Sequence, residues 1–186
     1  MKFYIKYMVS QRCKILVRQE LDHLGITKAK VELGVVDILE DVSMEQLQGL
    51  TENLKLSGLE VIENKKDILV ERIKNVIVEM IHYSEELPKT NYSDFLAEKL
   101  DYDYTYLSNL FSEEKGITIQ QFIILNKVEK VKELLLYGEL NLTEISYRLH
   151  YSSISHLSNQ FKKVTGMSPS LYEKMKTKRK SNLEGI

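Results

Sequence analysis

Hydrophobic positions change period part-way along this chain. Over residues 2–9 they alternate, Phe3, Ile5, Tyr7 and Val9 against Lys2, Tyr4 and Lys6, which predicts a half-buried strand. Over residues 11–24 the period lengthens: Ile15, Leu16, Leu21 and Leu24 share a helical face, and Gly25 supplies a stop. Residues 30–39, KVELGVVDIL, are apolar and β-branched enough for one long strand or two. Ser43 and Gln46 form a capping box opening a helix with Leu47, Leu50 and Leu54, which closes near Gly58. Residues 59–62 make a last short strand. This order predicts a ferredoxin-like α/β sandwich over residues 1–65, with its helices covering one sheet face.

Beyond residue 66 the helical period persists. Residues 67–82 carry Ile68, Ile73, Val76, Ile77, Met80 and Ile81 on a broad apolar face, with 64–66 as the link to the sandwich. Residues 118–137 open on a second capping box, Thr118 and Gln121, and place Phe122, Leu125, Val128, Val131 and Leu135 along one side. On either side of that helix the chain repeats itself. YLSNLFSEEKGITIQQF (106–122) has the spacing of HLSNQFKKVTGMSPSLY (156–172), with Leu107/Leu157, Ser108/Ser158, Asn109/Asn159, Phe111/Phe161 and Gly116/Gly166 identical. Upstream the offset shortens by one residue, pairing Leu96 with Ile145, Leu100 with Leu149 and Tyr102 with Tyr151. A duplicated helix-turn-helix tolerates such a change inside its turn, because the helical faces on both sides stay in phase. In the second copy Ile154, Leu157 and Phe161 form the buried stripe, Gly166 ends the helix, and Ser168-Pro169 starts another. Tyr102 and Tyr151 are expected to be interior. The predicted class is α+β: the sandwich, then an all-α domain of about seven helices over residues 66–175, then a basic tail over 176–186.

Opposite the stripe of the second copy lie Ser155, Ser158, Asn159 and Lys162, with His156 and Lys163 beside them. Short polar side chains reach base edges in a major groove while lysines meet phosphates. Thr105, Ser108 and Asn109 hold the matching places in the first copy. About 20 residues at ~1.5 Å rise make a connecting rod of ~30 Å, close to the ~34 Å between successive major-groove faces. Charge separates the copies. Residues 146–180 hold eight basic residues against Glu173 alone, net +7, four of them (Lys176, Lys178, Arg179, Lys180) in the tail. Residues 93–117 hold six acidic residues against Lys99 and Lys115, net −4, so the second copy is expected to supply most of the phosphate attraction.

These motifs, above all ISYRLHYSSISHLSNQFKKVTGMSPSLY, resemble the C-terminal domain of AraC/XylS-type transcription regulators over roughly residues 66–175. The resemblance implies seven helices, two helix-turn-helix units and one connecting helix. It also implies double-stranded DNA as partner, RNA polymerase as a further contact, and a monomer or homodimer. Asp101 and His150 stand where that family usually has turn glycines, Ser146 where alanine is common, and Glu173 where Arg often follows tyrosine. Asp and His tolerate positive φ better than most residues. Neither recognition helix contains Arg, which argues against strong guanine readout. Residues 7–13, YMVSQRC, resemble the loop of a heavy-metal-associated domain, Met-x-Cys-x-x-Cys, whose two thiolates clamp a soft metal such as Cu(I). Cys13 matches the second cysteine and Ser10 replaces the first, so a two-sulfur site is incomplete and no cofactor is expected.

The remaining composition narrows the classes. Across 186 residues the formal net charge is −1, and one cysteine leaves no internal disulfide. No apolar run approaches the ~18 residues of a membrane span, and MKFYIKYMV lacks the pattern of a signal peptide. A cytoplasmic protein is expected. No Gly-rich phosphate loop, HExxH motif or nucleophile–base set appears, so no enzyme is expected. Two readings follow: a sequence-specific regulator whose N-terminal domain is sensory, and a metal- or ligand-responsive protein-interaction module that has lost DNA binding.

Overall fold

The structure is a computed structural model that describes residues 1–84, 87–88 and 90–175; the basic tail expected at 176–186 lies outside the described residues. The fold is α+β. The N-terminal part runs β1 (Lys2–Lys6), α1 (Gln11–His23), β2 (Ala29–Glu32), β3 (Val35–Ile38), α2 (Met44–Leu56) and β4 (Glu60–Ile62). The strands lie in the order β2-β3-β1-β4, every neighbour antiparallel, with Phe3 opposite Val36 and Ile5 opposite Val61. This is the connectivity of a split βαβ unit. Its core gathers Ile5, Val17, Leu21, Val36, Leu50 and Leu54 between sheet and helices.

Two local expectations change here, and the alternative left open over residues 30–39 is decided. β1 stops at Lys6 because Tyr7 is left-handed, with φ +67°; this shifts the alternation by one, burying Met8 and exposing Tyr7 and Val9. Ile15 is 59% exposed, since α1 turns Val17 and Leu21 to the sheet instead. Residues 30–39 form two strands, because Gly34 turns the chain at φ +74°.

The expected linker at 64–66 is already helix. Asn64 caps α3 (Lys65–Val78), its Oδ1 accepting from the backbone N–H of Lys66 at 2.8 Å, and one π-helical turn (Glu79–Tyr83) extends it. α3 serves both parts of the molecule. Val78 joins the sandwich core, whereas Ile73 and Ile77 belong to the helical core. Lys6 and Asp67 approach to 3.7 Å, Tyr83 Oη donates to the Val9 carbonyl at 3.3 Å, and a Cβ on Gly34 would collide with the Asn75 amide.

The helical part continues through α4 (Tyr92–Leu100), α5 (Tyr104–Lys115), α6 (Ile119–Tyr137), α7 (Leu142–Arg148), α8 (Ile154–Thr165) and α9 (169–175). One core runs through both repeats, from Leu96, Leu107 and Phe111 across Val128 and Val131 to Ile145, Leu157 and Phe161. α6 lacks the single buried stripe expected of it. It touches α3, α5, α7 and α8, so Ile119, Ile123 and Leu134 are buried as well, while Leu125 faces out, 41% exposed. Among the described residues no helix is long and apolar enough to cross a membrane.

Candidate nucleic-acid interface

The second motif is pinned at every joint. Asn141 Oδ1 accepts from the backbone N–H groups of Thr143 and Glu144 at 2.9 and 3.0 Å, and Glu144 Oε2 accepts from Asn141 N–H at 2.7 Å. This reciprocal cap starts α7, whose Ile145 and Leu149 are buried. His150 turns the chain at φ +51°, and the N-cap Ser153 opens α8 by accepting from His156 N–H at 3.0 Å. Leu157 and Phe161 anchor α8 in the core, and Phe161 meets the Tyr172 ring edge-on at 5.6 Å. Gly166 ends the helix at φ +81°. Ile154, expected in the stripe, is exposed because it is the first helical residue and lies beyond the core's edge.

With that face fixed inward, the other must face solvent. Ser155, His156, Asn159, Lys162 and Lys163 are exposed and Ser158 is half-buried. His156 Nδ1 shares a hydrogen bond with Ser152 Oγ at 2.9 Å, and its ring meets Tyr151 edge-on at 5.3 Å. The side chains of the other five make no hydrogen bond or ion pair within the described residues. Their donors, acceptors and cations are open to a ligand.

The first motif has the same joints and a different surface. Asn91 caps α4, Asp101 turns at φ +60°, Asp103 caps α5 by accepting from Tyr106 N–H at 3.2 Å, and Gly116 closes it at φ +70°. Thr105 and Asn109 are exposed and Ser108 is half-buried. Around them Asp94, Glu98, Asp101, Asp103, Glu113 and Glu114 are all exposed. Lys115, one of the two local cations, lies 3.6 Å from Glu71 of α3.

Sequence reasoning misplaced Tyr102. It is not interior but 44% exposed, stacked on Tyr106 with centroids 5.7 Å apart. The i, i+4 spacing of the two tyrosines was the available signal. It also missed Lys127 of α6, which is only 7% exposed and sits 5.0 Å from the ring centroids of both Tyr92 and Tyr151. Burial pushes its amine down to about 8, while the two ring faces favour the cation. Lys127 therefore bridges the start of the first motif and the turn of the second. The Tyr151 hydroxyl beside it is buried with no hydrogen-bond partner, and burial raises both that phenol and Tyr92 above their ordinary range.

At the other end of the molecule, Ser10 is the N-cap of α1, its Oγ accepting from Cys13 N–H and lying 3.2 Å from Cys13 Sγ. Burial raises the Cys13 thiol, but hydrogen bonds from Ser10 and nearby backbone outweigh it and hold the thiol below its ordinary value. Among the described residues no group of three or more His, Cys, Asp or Glu side chains is placed to hold a metal ion.

Known proteins share the helical part. Residues 96–175 match the family described as "Helix-turn-helix domain". The Msm operon regulatory protein of Streptococcus mutans is 27% identical over 128 residues, covering 69% of this chain and 44% of that protein. The melibiose operon regulatory protein of Escherichia coli is 22% identical over 184 residues, covering 92% of this chain and 60% of that protein. The chain thus spans about half the length of these curated relatives. Among solved structures, the C-terminal domain of AraT, a response regulator from Geobacillus stearothermophilus, is 30% identical. That match covers 60% of this chain and 88% of the other, with a TM-score of 0.51. Taken with the paired capped motifs and the helix that joins them, these matches place the chain in the AraC/XylS-type family of transcription regulators.

Proposed function

We propose that this chain is a sequence-specific regulator that reads double-stranded DNA chiefly through α8. In this reading Ser155, Ser158 and Asn159 face base edges, while Lys162, Lys163 and Arg148 meet phosphates. One observation carries it: a recognition helix anchored by buried Leu157 and Phe161 turns out a face of small polar and cationic side chains that the protein itself leaves unengaged. α5 takes the adjacent groove with Thr105, Ser108 and Asn109, and its acidic surroundings make it the weaker reader. The 19 residues of α6 span ~28 Å at ~1.5 Å per residue, which suits adjacent grooves on one face of a duplex. The N-terminal sandwich is regulatory: it shares α3 with the helical core, so movement at the sheet reaches the first motif through one rigid element.

The test is selection of bound duplexes from a random pool, followed by titration at about 50 and about 200 mM salt. A recovered site whose affinity falls with salt, and falls again on Lys162→Glu/Lys163→Glu, supports the proposal. Failure to enrich any sequence, with affinity indifferent to salt and to those charges, would leave the protein-interaction reading in its place.

A further inference from the structure

The β2–β3 hairpin, the second half of α3 and the end of α4 enclose a cleft of about 320 Å³. It is at the lower end of the size range of small-molecule sites. Tyr4 and Glu32 of the sheet line it, with Arg72, Asn75 and Glu79 along α3 and its π turn, and Lys99 of α4. Spaced i, i+3 and i+7 along α3 and into the turn that extends it, Arg72, Asn75 and Glu79 share one face, and the outer two lie ~10 Å apart along the axis.

Some of the charges lining the cleft are paired and others are not. Glu32 pairs with Lys30 at 2.6 Å, Lys2 with Asp37 at 3.9 Å, and Glu71, on the neighbouring side of α3, with Lys74 at 2.9 Å. Arg72, Lys99 and Glu79 have no ion-pair partner among the described residues. Asn75 is 7% exposed, and its amide, laid against Gly34, makes no hydrogen bond to the described protein. The residue is nearly covered, yet its amide is not among the fully buried atoms and lines the cleft, where a ligand or solvent group can meet it. Burial raises the Glu79 carboxyl, helped by the charge of Glu32 and opposed by Lys14 and Lys99.

We propose that this cleft binds a small zwitterion of the amino-acid type, its carboxylate met by Arg72 and Lys99, its ammonium by Glu79, and a polar group by Asn75. A neutral sugar leaves both cations and the carboxylate without partners. A bare anion faces Glu79 and Glu32 and fills little of the volume. Bound there, the ligand ties the sandwich to α4 at Lys99, two residues before the Asp101 turn, which makes it an effector of the first motif. The site itself stands on the cleft and not on the DNA-binding reading, so it is tested without DNA.

The experiment is thermal unfolding of the full chain with each common L-amino acid in turn at about 10 mM, with glucose and inorganic phosphate as contrasts. At least one amino acid is expected to raise Tm by about 3 °C or more, and Arg72→Ala and Glu79→Gln each to abolish the rise. If Arg72→Ala lowers the unliganded Tm substantially, Lys99→Ala, on another helix, gives the same reading. The proposal is overturned if no amino acid raises Tm, if the rise survives these variants, or if glucose or phosphate raises it equally.

Discussion

The two helix-turn-helix units are held by the same parts and offer different surfaces. Each begins on an asparagine cap, bends at a non-glycine residue of positive φ, and ends on a left-handed glycine. Each buries one leucine and one phenylalanine of its second helix completely: Leu107 and Phe111 in α5, Leu157 and Phe161 in α8. Outside, α8 shows Lys162 and Lys163, whereas α5 shows Glu113 and Glu114 near the same end. The duplication thus preserved what the core requires and left the solvent face free to diverge. A phosphate backbone distinguishes the two by charge before any base is read.

The sharpest way to break this comparison is through the core. Phe111→Ala and Phe161→Ala are each expected to cost ~3–5 kcal/mol in denaturant unfolding. A loss below ~1 kcal/mol for either would show that the two motifs are not equal members of one core. Charge comes next. Lys162→Glu/Lys163→Glu should weaken duplex binding by at least about tenfold and lower the salt slope by about two. Glu113→Lys/Glu114→Lys should strengthen binding by less than about tenfold; no change there would leave α5 clear of the DNA.

Lys127, which joins the motifs, gives a pH signature. Its folded value of about 8 lies below the ordinary 10.5, so the unfolded chain holds more protons in between. Stability due to this residue therefore rises as pH climbs from 8 towards 10.5, and the charged amine is a cost below 8. Relative to Lys127→Met, the wild type should gain on the order of 1–2 kcal/mol between pH 7 and pH 9.5, read by urea unfolding. A flat difference would mean that Tyr92 and Tyr151 hold the cation fully. Smaller again is base reading: Asn159→Ala should lower affinity for a selected site by about tenfold, against about twofold for Asn109→Ala. The smallest effect concerns the turns, where Asp101→Gly and His150→Gly should each change stability by ~0.5 kcal/mol or less, as Gly relieves strain but loosens the unfolded chain.

Much of this was legible in one dimension. The repeat, both predicted capping boxes, the glycine stops and the positive-φ tolerance of Asp101 and His150 are local features, set by a residue and its near neighbours along the chain. So is the outward face of α8, because Leu157 and Phe161 leave its polar side no other direction. What failed to read were positions whose fate depends on how many partners surround a helix. α6 is wrapped by four helices, so one apolar stripe could not describe it, and the burial of Lys127 between two tyrosines far apart in sequence had no local mark. Ile154 and Tyr102 sit at the core's edge, where periodicity continues but packing has ended. The cleft beside Asn75 depends on a hairpin glycine meeting a helix about forty residues later. Period and caps follow from bonded geometry, whereas edges, wrapping and clefts arise only when distant segments compete for the same space.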